Sequence, residues 1–250
     1  MILFVFEGEL AEPKVFDSIG KLFLSGEDFR IIRYKRDLPS LYSHLKANGD
    51  DLFRILPFKE NGIDIPEGKR LDTLFSQIFL FFDYDFQNRH IELKKLNFIL
   101  DEMLAFFDDE TGNGKLYINY PMIESLKYTK EMPDKNYYQY VASRDECVKH
   151  QFKGNAEKFA YAGAKGFKFI DLNQTEESDV IANWENLKLQ NVAKAKYLCN
   201  IENVVSSIED ISQKEIFENQ LLKYVEQEPS NVSILNSFPL FLYEYFGKNI

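Results

Sequence analysis

Apolar positions fall in unbroken runs early in the chain and in helical stripes later, and that change sets the architecture. Residues 2–6 (Ile-Leu-Phe-Val-Phe) form a continuous run, the pattern of a strand buried on both faces. Gly8 ends the run and Pro13 suits the first turn of a helix. Val15, Phe16, Ile19, Leu22 and Phe23 then recur at helical spacing, which predicts a core-facing stripe. Residues 29–34 (Phe-Arg-Ile-Ile-Arg-Tyr) predict a second strand, and 38–47 a helix stopped by Asn48-Gly49. From 50 to 70 the pattern is mixed and punctuated by proline and glycine. Residues 77–83 (Gln-Ile-Phe-Leu-Phe-Phe-Asp) carry the strongest strand signal. Residues 91–107 predict a long amphipathic helix whose Leu93, Leu96, Phe98, Ile99, Met103, Leu104 and Phe107 mostly face the core. A turn over 108–114, a strand over 115–120 and a short helix over 122–128 follow.

Strands alternating with helices predict an α/β fold: a mostly parallel sheet flanked by helices. Beyond about residue 130 the strand-like runs thin out. Helical stretches over 137–164, 177–198, 202–226 and 231–246 predict a mainly helical C-terminal region, so the expected units are 1–132 and 133–250. With 250 residues, 45% of them hydrophobic, the chain has ample material for a buried core. No apolar stretch approaches the ~20 residues of a membrane span. The opening run is too short for a signal peptide and lacks a basic flank. Cys147 and Cys199 stand far apart in no metal or redox motif, the pattern of ordinary reduced thiols. A cytoplasmic location is the expectation. The net charge of −10 argues against a general polyanion-binding surface and leaves room for a local basic patch.

The candidate chemistry lies in acidic residues placed where strands end. Glu7-Gly8-Glu9 closes the first run and Asp83-Tyr84-Asp85 closes the third. Carboxylates at the carboxyl ends of neighbouring parallel strands converge on one edge of the sheet, the usual ligand crevice of an open α/β fold. Crowded together they repel one another unless a hard cation such as Mg²⁺ or Mn²⁺ neutralises them. Alternation along a strand is expected to turn Asp83 and Asp85 to one side, so that both reach a single ion. Gly8 permits a tight turn with no side chain between metal and phosphate. Glu124, just after a strand and Pro121, points toward the same edge as a further ligand. Glu9 and Glu12 fit equally well as first-turn acids that complement the helix dipole.

A first strand ending in Phe6-Glu7-Gly8, followed by a later strand ending in Asp83-Tyr84-Asp85, resembles the Toprim domain of topoisomerases, primases, OLD-type nucleases and RNase M5-like enzymes. The longer string Glu7-Gly8-Glu9-Leu10-Ala11-Glu12-Pro13 is similar to the opening of RloB-like proteins, and the strand ending at Pro121-Met-Ile-Glu124 to a later segment of that group. The resemblance covers the first half of the chain. Phe86 stands where topoisomerases and primases often carry glycine after the second motif, which favours a stand-alone nuclease. The resemblance implies a Mg²⁺-dependent (or Mn²⁺-dependent) nuclease with Glu7 as general base or acid at the metal and Asp83 and Asp85 as ligands. It also implies bacterial antiphage defence, with the chain as a toxin working beside an ATPase partner. DNA and RNA, tRNA included, remain open as substrates.

A nuclease must also hold a phosphate backbone. Arg33, Lys35 and Arg36 follow the second strand and lie near the sheet's carboxyl edge. Residues 149–168 carry five lysines among Phe and Tyr residues that could stack on bases, a pattern an ordinary amphipathic helix shares. His90, at the start of the helix after Asp85, could approach the site. No pair of the three histidines has zinc-ligand spacing, and no P-loop, GxSxG or GxGxxG string occurs. Residues 237–246 predict an apolar closing helix, either a core element or, if exposed, a docking face for a partner or for a second copy in a homodimer. Trp184 lies among polar residues and would anchor a helix pair or a partner. Two other functions fit the same sequence. One is a non-catalytic adaptor that keeps the fold. The other is a haloacid-dehalogenase-like phosphatase, disfavoured because its nucleophile belongs on the first strand and Gln87 stands where Thr or Val would follow.

Overall fold

The computed structural model describes residues 1–66, 69, 73–200 and 212–247. Its centre is a sheet built from β1 (Ile2–Phe6), β2 (Phe29–Arg33), β3 (Gln77–Asp83), β4 (Asp108–Asp109) and β5 (Gly114–Asn119), in spatial order β2-β1-β3-β5-β4. The first four in that order run parallel, and β4 closes the edge antiparallel. All five residues of β1 are buried, as a continuous apolar run requires of a strand covered on both faces.

Alternation divides the side chains between two clusters. Leu3, Val5, Ile78, Leu80 and Phe82 face α2 (Leu38–Ala47), which the four-residue α3 (Leu52–Ile55) follows, and α4 (Leu93–Phe106). Phe4, Phe6, Phe79, Phe81 and Tyr117 face α1 (Ala11–Leu22), α7 (Glu177–Leu198) and α9 (Ser237–Phe246). Helix α2 starts where Asp37 accepts a hydrogen bond from Ser40 N–H, with Pro39 in its first turn. The result is an α/β architecture with a helical C-terminal region. Among the described residues no helix is long and apolar enough to cross a membrane.

Residues on both sides of the 132/133 division share both clusters. Phe238 of α9 stacks on Phe81 at 4.5 Å, and Phe241 lies 5.0 Å from Phe79 and 5.6 Å from Phe4. The closing helix is thus a core element, set in place by burial of its aromatic face. Trp184 is fully buried and donates its Nε1–H to Ser18 Oγ at 3.0 Å, so it anchors α7 on α1. Truncating Phe238 to Ala is expected to cost about 3–5 kcal/mol, the usual range for deleting a core Phe. Urea denaturation should show that loss in a single transition of the whole chain. A separate early transition for the C-terminal half would contradict the shared core.

Several expectations need correction. Phe98 is 57% exposed, because α4 turns its Leu96, Ile99, Leu100 and Met103 stripe inward and leaves position 98 on the far side. Residues 108–114 are a β-hairpin turn whose first two residues form β4. Residues 122–128 contain a 3-10 turn (Ile123–Lys127). The stretch 137–164 is broken into β6 (Val141–Ser143), α5 (Arg144–Val148) and α6 (Phe152–Phe159). The stretch 231–246 begins with β7 (Asn231–Ser233), antiparallel to β6. Strands of three residues are too short to carry a period-two signal. The first part of the expected helix 202–226 lies outside the described residues. Its remainder forms α8 (Gln213–Gln220) and a π-helical turn, Leu221–Val225.

Candidate functional site

The register of the sheet sets the site. Phe6 is level with Arg33 on one side and Phe81 on the other, and Asp83 is level with Asn119. Glu7 therefore stands one step beyond the end of β1, its N–H donating to Phe81 O at 3.0 Å and its O accepting from Lys35 N–H at 2.8 Å. Its Oε2 accepts the Asp83 N–H at 2.8 Å, which ties the two acidic motifs together. Asp83 ends β3, and its Oδ1 accepts from Asn119 Nδ2 at 3.1 Å.

The sequence argument for Asp85 needs a different basis. Strand β3 stops at Asp83, and Asp85 has φ +56°, a left-handed conformation that aspartate tolerates better than most residues. Strand alternation therefore does not carry it to the site; the turn does. Its Oδ1 accepts from Gln87 Nε2 at 2.8 Å, while Oδ2 is buried without a hydrogen-bond partner.

Two further carboxylates join from the helices. Glu12, in the first turn of α1, is only 4% exposed. A Cβ added to Gly8 would stand 2.3 Å from Glu12 Oε2, so the Glu12 carboxylate lies directly against the Gly8 backbone and a larger residue there would displace it. Glu124 is 8% exposed; one oxygen pairs with Lys153 Nζ of α6 at 3.1 Å and Oε2 is buried unpartnered.

Electrostatics shows that these groups form one cluster. Burial, then the Asp83 and Asp85 carboxylates, push Glu7 well above the ordinary glutamate range. Burial, then Glu12, Glu124 and Asp85, push Asp83 well above its ordinary value. Burial and then the Asp37 charge raise Asp85 to about 7. Burial raises Glu12 too, with Glu124 adding to it. For Lys153 burial works against the charge, but Glu124, Asp83 and Glu12 outweigh it and hold the ammonium above the usual lysine range. Glu7 and Asp83 keep partly open surfaces, while Glu12, Asp85 and Glu124 are buried.

The donor set suits a hard cation: oxygens only, excess negative charge, and two orphaned buried carboxylate atoms. Yet among the described residues no three His, Cys, Asp or Glu side chains are arranged to hold a metal ion. The reason is visible in the hydrogen bonds, since Glu7, Asp83, Asp85 and Glu124 each turn an oxygen to an internal partner. The residues fit the ion in kind and number, and coordination would require some of them to release those partners.

Basic side chains stand beside the carboxylates. Arg33, which ends β2, and Lys35 and Arg36 just past it are exposed; Lys35 pairs with Glu9 at 2.7 Å and Arg36 lies 3.4 Å from His44. Glu9 thus belongs to the rim and not to the cluster. His90 is exposed in the loop before α4, where its N–H donates to Asn88 Oδ1. No contact brings its ring to the carboxylates. The lysines of 149–168 are scattered over α5, α6 and a kinked 3-10 segment, and Lys153 is the one paired at the site.

Comparison with family models, with curated proteins and with solved structures finds no match to this chain. The site must therefore be argued from its own chemistry. Asn119, which the sequence reading passed over, is central to that chemistry. It is fully buried, holds Asp83 through Nδ2, and accepts through Oδ1 from Ser237 Oγ at 2.7 Å and Ser237 N–H at 3.1 Å. The start of α9 thereby orients a residue of the sheet edge more than a hundred positions away. A polar residue ending an otherwise apolar strand was the available signal.

Proposed function

We propose that the chain is a Mg²⁺-dependent (or Mn²⁺-dependent) nuclease of Toprim type that hydrolyses nucleic-acid phosphodiester bonds. One observation carries this reading: five carboxylates (Glu7, Glu12, Asp83, Asp85 and Glu124) crowd one edge of a parallel sheet, and in four of them, Glu7, Glu12, Asp83 and Asp85, crowding and burial raise the proton affinity in a way that a divalent cation would relieve.

Asp83, Asp85 and Glu124 are the residues that would hold the ion. When bound, it supplies Lewis acidity at a phosphoryl oxygen and lowers the pKa of a water. Glu7 is the general base. Its Oε2 is fixed by the Asp83 N–H, which leaves Oε1 to take the proton of the attacking water. Raised proton affinity suits Glu7 to that role, because a carboxylate so raised accepts a proton more readily than an ordinary one. Arg33 at the end of β2, with Lys35 and Arg36 just past it, is placed to hold the phosphates on either side of the scissile bond. The motif resemblance adds a setting to this proposal: a cytoplasmic effector in bacterial antiphage defence, acting with an ATPase partner.

The test is incubation of the folded chain with plasmid DNA and with total RNA, in Mg²⁺, in Mn²⁺ and in EDTA, alongside calorimetric titration with Mn²⁺. Metal-dependent cutting is expected and would name the polymer. A second reading, a non-catalytic adaptor, is favoured by the absence of any metal-ready triad among the described residues. Failure both to bind Mn²⁺ and to cut either polymer would decide for the adaptor.

A further inference from the structure

Lys153 is the one basic side chain ion-paired to a buried carboxylate of the cluster among the described residues. It reaches Glu124 from α6, a short helix fixed by contacts independent of the site. Phe152 and Ala156 are buried, and Tyr128 stacks on Phe152 at 5.5 Å and on Phe159 at 4.1 Å. One turn beyond Lys153, Glu157 pairs with Lys127, the residue one turn beyond Glu124 on the facing 3-10 segment. Two ion pairs of opposite polarity thus join the same two elements. The second is structural, since the Lys127 side chain is 6% exposed and lies over the Phe167 ring at 4.3 Å. The first differs: the Lys153 side chain is 67% exposed, while its Glu124 partner keeps one oxygen buried and unpartnered. A long, solvated side chain of this kind can swing away by rotamer change while α6 stays in place.

We propose that Lys153 is a built-in stand-in for a divalent cation: it holds Glu124 while the site is metal-free, and cation binding displaces it. The inference rests on the metal-site reading above. It follows from the geometry, because the ammonium sits 3.1 Å from one oxygen of Glu124, whose other oxygen is buried without a partner, so a positive charge already occupies the mouth of the acidic cluster. It also accounts for the lack of a metal-ready triad, since Glu124 is turned to lysine.

The experiment compares Mn²⁺ binding by calorimetry in the wild-type chain, Lys153→Met and Glu157→Gln. Amine labelling with acetic anhydride is quantified by mass spectrometry at Lys153, with exposed Lys158 on the same helix as internal reference. The expected results are about tenfold tighter Mn²⁺ binding in Lys153→Met, roughly 1.4 kcal/mol, and little change in Glu157→Gln. Labelling at Lys153 relative to Lys158 should rise severalfold when Mn²⁺ is added to the wild type. General electrostatics would also tighten binding in Lys153→Met, so the labelling decides. Mn²⁺ binding with no change in Lys153 labelling overturns the stand-in role and leaves the metal reading intact. No Mn²⁺ binding by wild type or Lys153→Met overturns both.

Discussion

Replacing Asp83 with Asn is expected to lower metal-dependent cutting of nucleic acid at least about a thousandfold, the scale seen when a group acting on the reacting atoms is removed. The same substitution should make the metal-free protein more stable. Asn keeps the volume and the oxygen that accepts from Asn119 Nδ2, so the packing survives. It removes a charge that burial and the Glu12, Glu124 and Asp85 carboxylates all oppose. A gain of 1–2 kcal/mol would appear as roughly 2–8 °C in Tm for a chain of this size. The two effects together are diagnostic. A residue kept only for structure should lose stability when changed, whereas one held against its own electrostatics should gain it and lose function. Cutting assays beside thermal melts in EDTA check both halves. Retained cutting by a stable Asp83→Asn protein would remove Asp83 from the proposed machinery.

Glu7, Asp83, Asp85 and Glu124 were legible because each follows an apolar strand, and strand ends in a parallel sheet lie at one edge whatever the rest of the chain does. Glu12 was underrated for an equally physical reason. An acid in a first helical turn is stabilised there by the helix dipole, so its position does not separate a buried site residue from an ordinary one. Asn119 left only the weak signal of a polar residue ending an apolar strand, Lys153 was one of five lysines in 149–168 with nothing to single it out, and Ser237 left no signal. Their roles arise from contacts made only once α6 and α9 close on the sheet edge. Local rules failed in the same way for Phe98, which satisfies helical spacing but falls outside the stripe that α4 buries. The aromatic α9, by contrast, was legible as a core helix. Its Phe238 and Phe241 had no better place than against the rings of Phe79 and Phe81.

The clustered carboxylates also set how stability responds to pH. A carboxyl group whose proton affinity is raised by folding binds a proton in the native state over a range where the unfolded chain has already released it. Its stabilising contribution is therefore full below the unfolded value near 4 and is lost as pH rises through the folded value. For Asp85 the folded value is about 7, with burial the main cause and the Asp37 charge the second. A rise of about three units corresponds to about 4 kcal/mol at ~1.4 kcal/mol per unit. Glu7 and Asp83 act in the same direction. Asp109 and Asp171, whose pKa values hydrogen bonds hold below the usual range, act below that window. Lys194 opposes the trend: burial pushes its ammonium well below the ordinary lysine value, so its contribution makes stability rise with pH. The decisive measurement is therefore a difference. Urea denaturation in EDTA at pH 5 and pH 8 should show the wild-type chain losing about 2–3 kcal/mol more than Asp85→Asn over that interval. Saturating Mn²⁺ should erase much of the difference, because a bound cation favours the ionised carboxylates. Equal pH slopes for the two proteins would mean that Asp85 is not held against its own charge.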